Sequence, residues 1–384
     1  MMTFTSKKIF IVCDSSRNLL DFRGRLIEKM QQQNQVYVFT PLIEQASVRE
    51  RLKDLGVITY ESNLDGSNVS ILSDLKFIFS LYRLIRKIKP DIFFPYTFKP
   101  VIYGSFLAKL CNVGLIAPML TGLGYSFTNH AAGNKLVMRM TRMLLKFSLK
   151  PHPRLNIIFQ NKDDSSRLVD LKILNKKHQV YVVNGSGVDL GHYQYSTPNT
   201  SKITFLMVSR LINAKGIQEY YDAAKLVSAR FPNTEFKLVG PYGPNIDAIS
   251  TALYQEITCG NVIRYLGQLD DVRPEIESAS VLVLPSYYGE GVPRSVLEGM
   301  AMGRAVITSD SVGCRETISN DPELKNGFLI PIKDANALAT KMEYFINNKQ
   351  EIINCGSRGR AFAKKKFDVN LINSDIFKIM QLEA

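Results

Sequence analysis

Short apolar runs recur along the whole chain, and each is followed by a stretch whose apolar positions return every three or four residues. Strand-like runs alternating with helix-like periods are the pattern of βα units. In the first half, Lys8–Cys13, Val36–Phe39, Val57–Tyr60, Ile92–Pro95, Leu115–Leu120, Asn156–Gln160 and Val180–Val183 read as strands. Helices are expected near Arg23–Gln32, over Ser73–Lys89 and over Val101–Cys111. The second of these places Leu75, Ile78, Leu81, Ile85 and Ile88 on one buried side and stops at Pro90. The second half restarts the pattern with strands at Ile203–Ser209, Glu235–Val239, Val262–Leu266, Val281–Leu284, Ala305–Thr308 and Phe328–Pro331. Its helices are expected over Gly216–Arg230, Ser295–Met302 and Ala335–Asn347, among others.

Repeated βα units predict an α/β protein with two Rossmann-like, doubly wound parallel sheets and ligands at the carboxyl ends of strands. The joint falls near Asn184–Tyr195, where NGSGVDLGHY concentrates Gly and Asn. Gly187, Val188 and Asp189 read there as structural, a turn residue and its Asx cap. The expected domains are 1–184 and 185–366, followed by an amphipathic helical tail over 367–384. No internal repeat or low-complexity stretch is present.

With 45% hydrophobic residues over 384 positions, the chain is no disordered tail and can bury two cores. Five cysteines, at 13, 111, 259, 314 and 355, form no C-x-x-C pair, so neither a disulfide framework nor a zinc site follows and a reducing cytoplasm is expected. The first apolar stretch is too short for a signal peptide, and no run approaches the ~18 apolar residues of a spanning helix. The net charge of +13 is carried by the first half: residues 1–184 hold 27 Lys and Arg against 13 Asp and Glu. No acid occurs from Ile92 to Lys162, while nine cations do. The asymmetry calls for an anionic partner: nucleic acid, an anionic membrane or a phosphorylated substrate. Within Asn134–Lys150, the cations Lys135, Arg139, Arg142, Lys146 and Lys150 share one helical face, with Leu136, Val137, Met140, Met143, Leu144 and Phe147 elsewhere. A basic amphipathic helix of that kind suits an anionic bilayer.

The densest chemistry lies in residues 284–318, LPSYYGEGVPRSVLEGMAMGRAVITSDSVGCRETI. Glu290 sits in a strand-to-helix loop and Glu298 in the helix that Pro293 opens. Between them, the backbone of Gly291, Val292, Pro293, Arg294, Ser295 and Val296, with an N–H on each residue but the proline, surrounds a helix start suited to phosphate. A carboxylate can accept hydrogen bonds from two vicinal sugar hydroxyls. The segment therefore reads as a nucleotide-sugar site.

This stretch resembles the E-x7-E signature of retaining glycosyltransferases of family four, which have the GT-B fold of two such domains facing a central cleft. The resemblance also covers TGLGYSFT, FQNKDD and SRLINAKG. It implies that Glu290 contacts the donor sugar and Glu298 the ribose, with Arg210 and Lys215 on the diphosphate; Ser209 stands where Gly is usual. It puts the nucleobase near Leu266 and Gly267, within Tyr265 to Gln268. It sets Glu316 near the diphosphate, although a helix cap serves that residue equally. On the acceptor side it implies Gly122, Gly124 and Tyr125, with Lys99 as a phosphate contact. The family's G-G-x-x-R loop is absent, replaced by CDSSRNLLDFRG, where Arg17 or Arg23 could substitute. The tail helix is expected to cross back to the first domain.

No D-x-D occurs and the four His share no ligand spacing, so a metal-independent enzyme without cofactor is expected, its cations balancing the leaving diphosphate. No acid stands out as a nucleophile, which favours front-face substitution. The likeness is greatest to bacterial enzymes building O-antigen, lipopolysaccharide or capsule glycans on undecaprenyl diphosphate. The expected reaction moves N-acetylgalactosamine from UDP-GalNAc in α1,3 linkage onto a lipid-diphosphate-linked saccharide, at the cytoplasmic face of the inner membrane. A UDP-sugar epimerase of the same fold is the alternative. A nucleic-acid-binding protein lacks a recognisable module here, and an oxidoreductase lacks G-x-G-x-x-G after the first strand.

Overall fold

The structure, a computed structural model, describes residues 6–16, 19–62, 71–124, 127, 135–243 and 247–382. It divides into two compact units, Met1–Ser186 with Ile372–Ala384, and Gly187–Leu371. The first unit holds β1 (Lys8–Val12), α1 (Leu19–Gln31), β2 (Gln35–Pro41), α2 (Ala46–Asp54), β3 (Ile58–Ser62), α3 (Ile71–Ile88), β4 (Ile92–Pro95), α4 (Phe98–Leu110) and β5 (Leu115–Ile116). There follow β6 (Met119–Leu120), α5 (Lys135–Ser148), β7 (Asn156–Phe159), α6 (Lys162–Asp170) and β8 (Gln179–Val182). Strands β3-β2-β1-β4-β5 form one parallel sheet and β6-β7-β8 a second.

Alternate residues of β1 point to opposite faces, and both faces are buried. Phe10 and Val12 join the core under α3, α4 and α5, while Ile9 and Ile11 join the one under α1 and α2. Ile372, Ile376, Phe377 and Met380 complete the second core. Their segment is fastened by Asn156 Nδ2 donating to the Ile379 carbonyl at 2.8 Å and Lys7 Nζ to that of Gln381 at 2.8 Å.

Two expectations are corrected. Leu115–Leu120 is not one strand: Ile116 pairs with Phe93, whereas Met119 pairs with Ile158 in the other sheet. Pro118 between them has no N–H to donate, so the chain changes partner there. Helix α3 buries Phe77, Leu81, Ile85 and Ile88, but turns Leu75 outward, 56% exposed. Apolar residues occupy both faces of this helix, and period alone cannot say which is covered.

The second unit holds β9 (Thr204–Val208), α7 (Ile217–Arg230), β10 (Glu235–Val239), α8 (Thr251–Cys259), β11 (Arg264–Tyr265), α9 (Arg273–Ser278) and β12 (Val281–Leu284). It continues with α10 (Arg294–Ala301), β13 (Ala305–Ser309), β14 (Gly327–Ile330), α11 (Ala335–Asn347), α12 (Lys349–Lys366) and the start of α13 (Val369–Ile379). Its parallel sheet runs β11-β10-β9-β12-β13-β14. The strand order reverses between β9 and β12, and the crevice beyond their carboxyl ends is where such a sheet binds ligands. In the first unit the corresponding reversal lies between β1 and β4.

Asp164, buried in the first turn of α6, accepts from Asn161 Nδ2 at 3.0 Å. Burial pushes its carboxyl up to about 7, against the Asn161 hydrogen bond and with help from the Asp163 charge. Between about 4 and 7 the folded chain keeps a proton that the unfolded chain releases, so stability falls as pH rises through that window. Asp164→Asn should remove the fall. Urea unfolding should show the variant on the order of 4 kcal/mol ahead at pH 8 and level with the wild type at pH 4.

Candidate functional site

Arg210 stands exposed just after β9. The chain then makes a tight turn over Asn213–Lys215 and passes through Gly216 at φ +79°. A Cβ at Gly216 would lie 2.3 Å from the Pro285 carbonyl oxygen, so only glycine lets this turn close on the loop after β12. The Ala214 carbonyl accepts from the Tyr287 and Tyr288 amides at 2.8 and 3.0 Å, locking the two loops together. The result is an ion pair between Lys215 Nζ and Glu290 Oε1, with side chains only 13% and 12% exposed. The Ser286 hydroxyl lies 3.1 Å from the same carboxylate oxygen. The Tyr288 ring faces both cations, its centroid 5.9 Å from Arg210 Cζ and 5.4 Å from Lys215 Nζ. Behind the acid, Gly313 packs so closely that a Cβ would come within 2.6 Å of the Glu290 and Gly291 carbonyl oxygens.

Pro293 is extended and caps α10, which starts at Arg294. Glu298 is buried one turn in, where its Oε1 accepts from Arg294 Nε at 3.0 Å and from the Tyr193 hydroxyl at 2.9 Å. The side chains of Val292 and Val296 are not on the ligand side. They are four residues apart and both join the core, so only their backbone can meet a ligand. Gly291 and Pro293 are buried beside them, with Arg294 and Ser295 partly exposed.

The Leu266 amide donates to the Leu238 carbonyl and the Gly240 amide to the Gly267 carbonyl, which ties this stretch to the carboxyl end of β10. Tyr265 donates its hydroxyl to the Gly240 carbonyl at 2.8 Å and stands edge-on to Tyr254, itself stacked on Tyr242 at 3.8 Å. Glu316 lies in a short turn and pairs with Lys366 of α12 at 2.6 Å rather than with Lys215 or Arg210.

In the first unit, Lys99 Nζ pairs with Asp74 Oδ1 at 2.9 Å, and the Tyr103 hydroxyl donates to the other oxygen at 2.9 Å. Asp14, at the carboxyl end of β1, has its carboxyl raised to about 6 by burial, opposed by Thr97 and Lys99. Gly122 and Gly124 take φ of +124° and +58°, which explains the glycines. Arg23 is not on the surface. It is buried, with its guanidinium against Met119 Sδ and 5.5 Å from the Tyr96 ring, because α1 turns this position onto the sheet. Tyr125, Arg17 and the Lys135 side chain lie outside the described residues.

Helix α5 exposes Arg139 and Lys146, Lys150 just past its end is exposed too, and Arg142 is half-buried over Phe127. Leu136, Val137, Met140, Met143, Leu144 and Phe147 are exposed too, leaving Leu145 and Ser148 buried. Tyr288, Ser286, Tyr193, Asp14 and Asp74 were not singled out by sequence. The tyrosine pair beside Gly289 was a local signal for the first; nothing local links Tyr193 to Glu298.

A family profile described as glycosyl transferases group 1 matches residues 202–348, and one described as glycosyl transferase 4-like matches residues 12–161. The N,N'-diacetylbacillosaminyl-diphospho-undecaprenol alpha-1,3-N-acetylgalactosaminyltransferase of Campylobacter jejuni is 25% identical over 97% of this chain and 98% of its own length. The UDP-Gal:alpha-D-GlcNAc-diphosphoundecaprenol alpha-1,3-galactosyltransferase of Escherichia coli is 25% identical over 73% of each chain. Among solved structures, Anabaena HepE in complex with UDP and glucose superposes with a TM-score of 0.75 at 18% identity, over 98% of this chain and 99% of that one. Sucrose-phosphate synthase from Thermosynechococcus elongatus gives 0.77 at 19% identity, with the same coverage.

Proposed function

Because the chain belongs to the group 1 glycosyltransferases and has their GT-B fold, we propose that it transfers a sugar from a UDP donor to an undecaprenyl-diphosphate-linked saccharide, with retention at the anomeric carbon. The first candidate donor is UDP-GalNAc, joined in α1,3 linkage during O-antigen or capsule synthesis; its support is the Campylobacter relative, which matches end to end.

The observation that carries this reading is the cluster of Glu290, Lys215 and Arg210 around Tyr288 at the β9/β12 reversal. A sugar diphosphate offers hydroxyls to the acid and oxyanions to the cations. As the bond from the anomeric carbon to the diphosphate breaks, negative charge grows on the leaving oxygen, and Arg210 with Lys215 are fixed in advance to receive it. The departing phosphate takes the acceptor hydroxyl proton from the same face. Glu298, buried against Tyr193 and Arg294, offers a rigid carboxylate to the ribose. No metal is needed in this scheme. Asp14 and Lys99, at the reversal of the first sheet, are the groups suited to the acceptor sugar and its phosphate. The basic, largely exposed α5 supports a peripheral location on an anionic membrane, and no helix among the described residues is long and apolar enough to cross one.

The test is mass spectrometry of lipid-linked products after incubation with a panel of nucleotide sugars. One sugar added from one UDP donor, with EDTA present, is the expected result. Interconversion of a UDP-sugar with no acceptor would assign the chain to epimerisation instead.

A further inference from the structure

Helices α3, α4 and α5 lie in one layer, because Phe77, Leu81 and Ile85 of α3, Val101, Ile102 and Leu107 of α4, and Leu145 of α5 enter the same core. Their outer faces therefore look the same way. Those faces carry an unusual load of uncovered apolar side chains. On α3, Leu72, Leu75 and Phe79 are 74%, 56% and 62% exposed. Phe106 and Leu110 of α4 are also exposed, and the Phe106 ring meets that of Phe147 on α5 at 5.3 Å, so α4 continues the apolar face of α5. A soluble surface seldom leaves so many large apolar residues on one side.

The charges around them are of one sign. On α3 the outward ionisable residues are Lys76, Arg83, Arg86 and Lys87, and its lone acid, Asp74, is turned inward to Lys99. On α4 and α5 no acid exists at all. Apolar side chains interleaved with exposed cations match an interface of acyl chains beneath anionic headgroups.

Each of these helices enters from the carboxyl end of the sheet. The first turns of α3, which hold Leu72, Leu75 and Phe79, thus lie at the end where the ligand crevice of a doubly wound sheet opens.

We propose that α3 is a second membrane-inserting element, and that Leu72, Leu75 and Phe79 enter the acyl region of an anionic bilayer beside α5. The inference rests on the peripheral reading above and deepens it. Helix α5 brings cations and exposed apolar side chains, and insertion of α3 adds further apolar area, which makes binding more resistant to salt and seats the crevice against the lipid surface.

The chain contains no tryptophan, so single substitutions report their own surroundings. Phe79→Trp on α3, Met143→Trp on α5 and Leu226→Trp, exposed on the second unit, are each mixed with phosphatidylglycerol vesicles. Phe79→Trp and Met143→Trp should shift to the blue and be quenched by brominated acyl chains, while Leu226→Trp should not respond. Leu72→Ser, Leu75→Ser and Phe79→Ser together should lower vesicle binding at high salt roughly 10-fold, with an unchanged circular dichroism spectrum. A Phe79→Trp spectrum unmoved while Met143→Trp is quenched would overturn the role of α3 and leave the peripheral reading standing. Both unmoved would remove the peripheral reading as well. A Phe79→Trp shift that follows protein concentration without lipid would mean that a second copy covers α3, and would also overturn the proposal.

Discussion

Glu290→Ala should lower kcat on the order of 10³-fold while leaving the chain folded. The carboxylate is nearly enclosed and held by Lys215 and Ser286 on loops that Gly216 and the Ala214 carbonyl bring together. Nothing else among the described residues of this loop offers a charged acceptor for sugar hydroxyls. Truncation leaves the Lys215 ammonium without this partner. The ammonium is left only 13% exposed, a loss that should cost about 1–3 kcal/mol and not unfold the unit. Steady-state kinetics with circular dichroism measure both. Wild-type turnover would remove Glu290 from the site. Glu290→Gln, which keeps the shape and loses the charge, should fall between the two.

Lys215→Ala should cost about 10²-fold in kcat, with a smaller rise in KM for the donor, since its charge matters most once the diphosphate is leaving. The informative variant is the double one. Glu290 and Lys215 form one ion pair, so their effects should not add: the double variant should be little worse than Glu290→Ala alone. Full additivity would mean that the two residues act independently and that the pair is incidental to catalysis. Arg210, exposed and facing the Tyr288 ring, should behave as an independent phosphate contact and raise KM more than it lowers kcat.

The two sheets were legible because buried parallel strands are short unbroken apolar runs, and most strands lie where those runs stand. Their order was not. Yet the reversal between β9 and β12 is what puts Lys215 beside Glu290, 75 residues apart in sequence. Gly216 and Gly313 leave no room for a Cβ, a closeness that appears only once the loops are packed together. Val292, just before α10, and Val296, in its first turn, bury their side chains in the core, so the phosphate site read from this segment can involve only their backbone. Leu75 shows the limit of periodicity in a helix with apolar residues all round, where only the packed layer decides which face is covered. Tyr193, 105 residues from the carboxylate that it meets, had no signature at all.

Titration calorimetry of the full chain with UDP and UDP-sugars, in the presence of EDTA, bears most directly on the nucleotide-sugar site of the second unit. One equivalent of a uridine diphosphate should bind per chain, and Lys215→Ala and Arg210→Ala should each weaken it. Absence of binding by any nucleoside diphosphate or its sugar conjugate would contradict the site itself, and with it the reaction assigned to the chain.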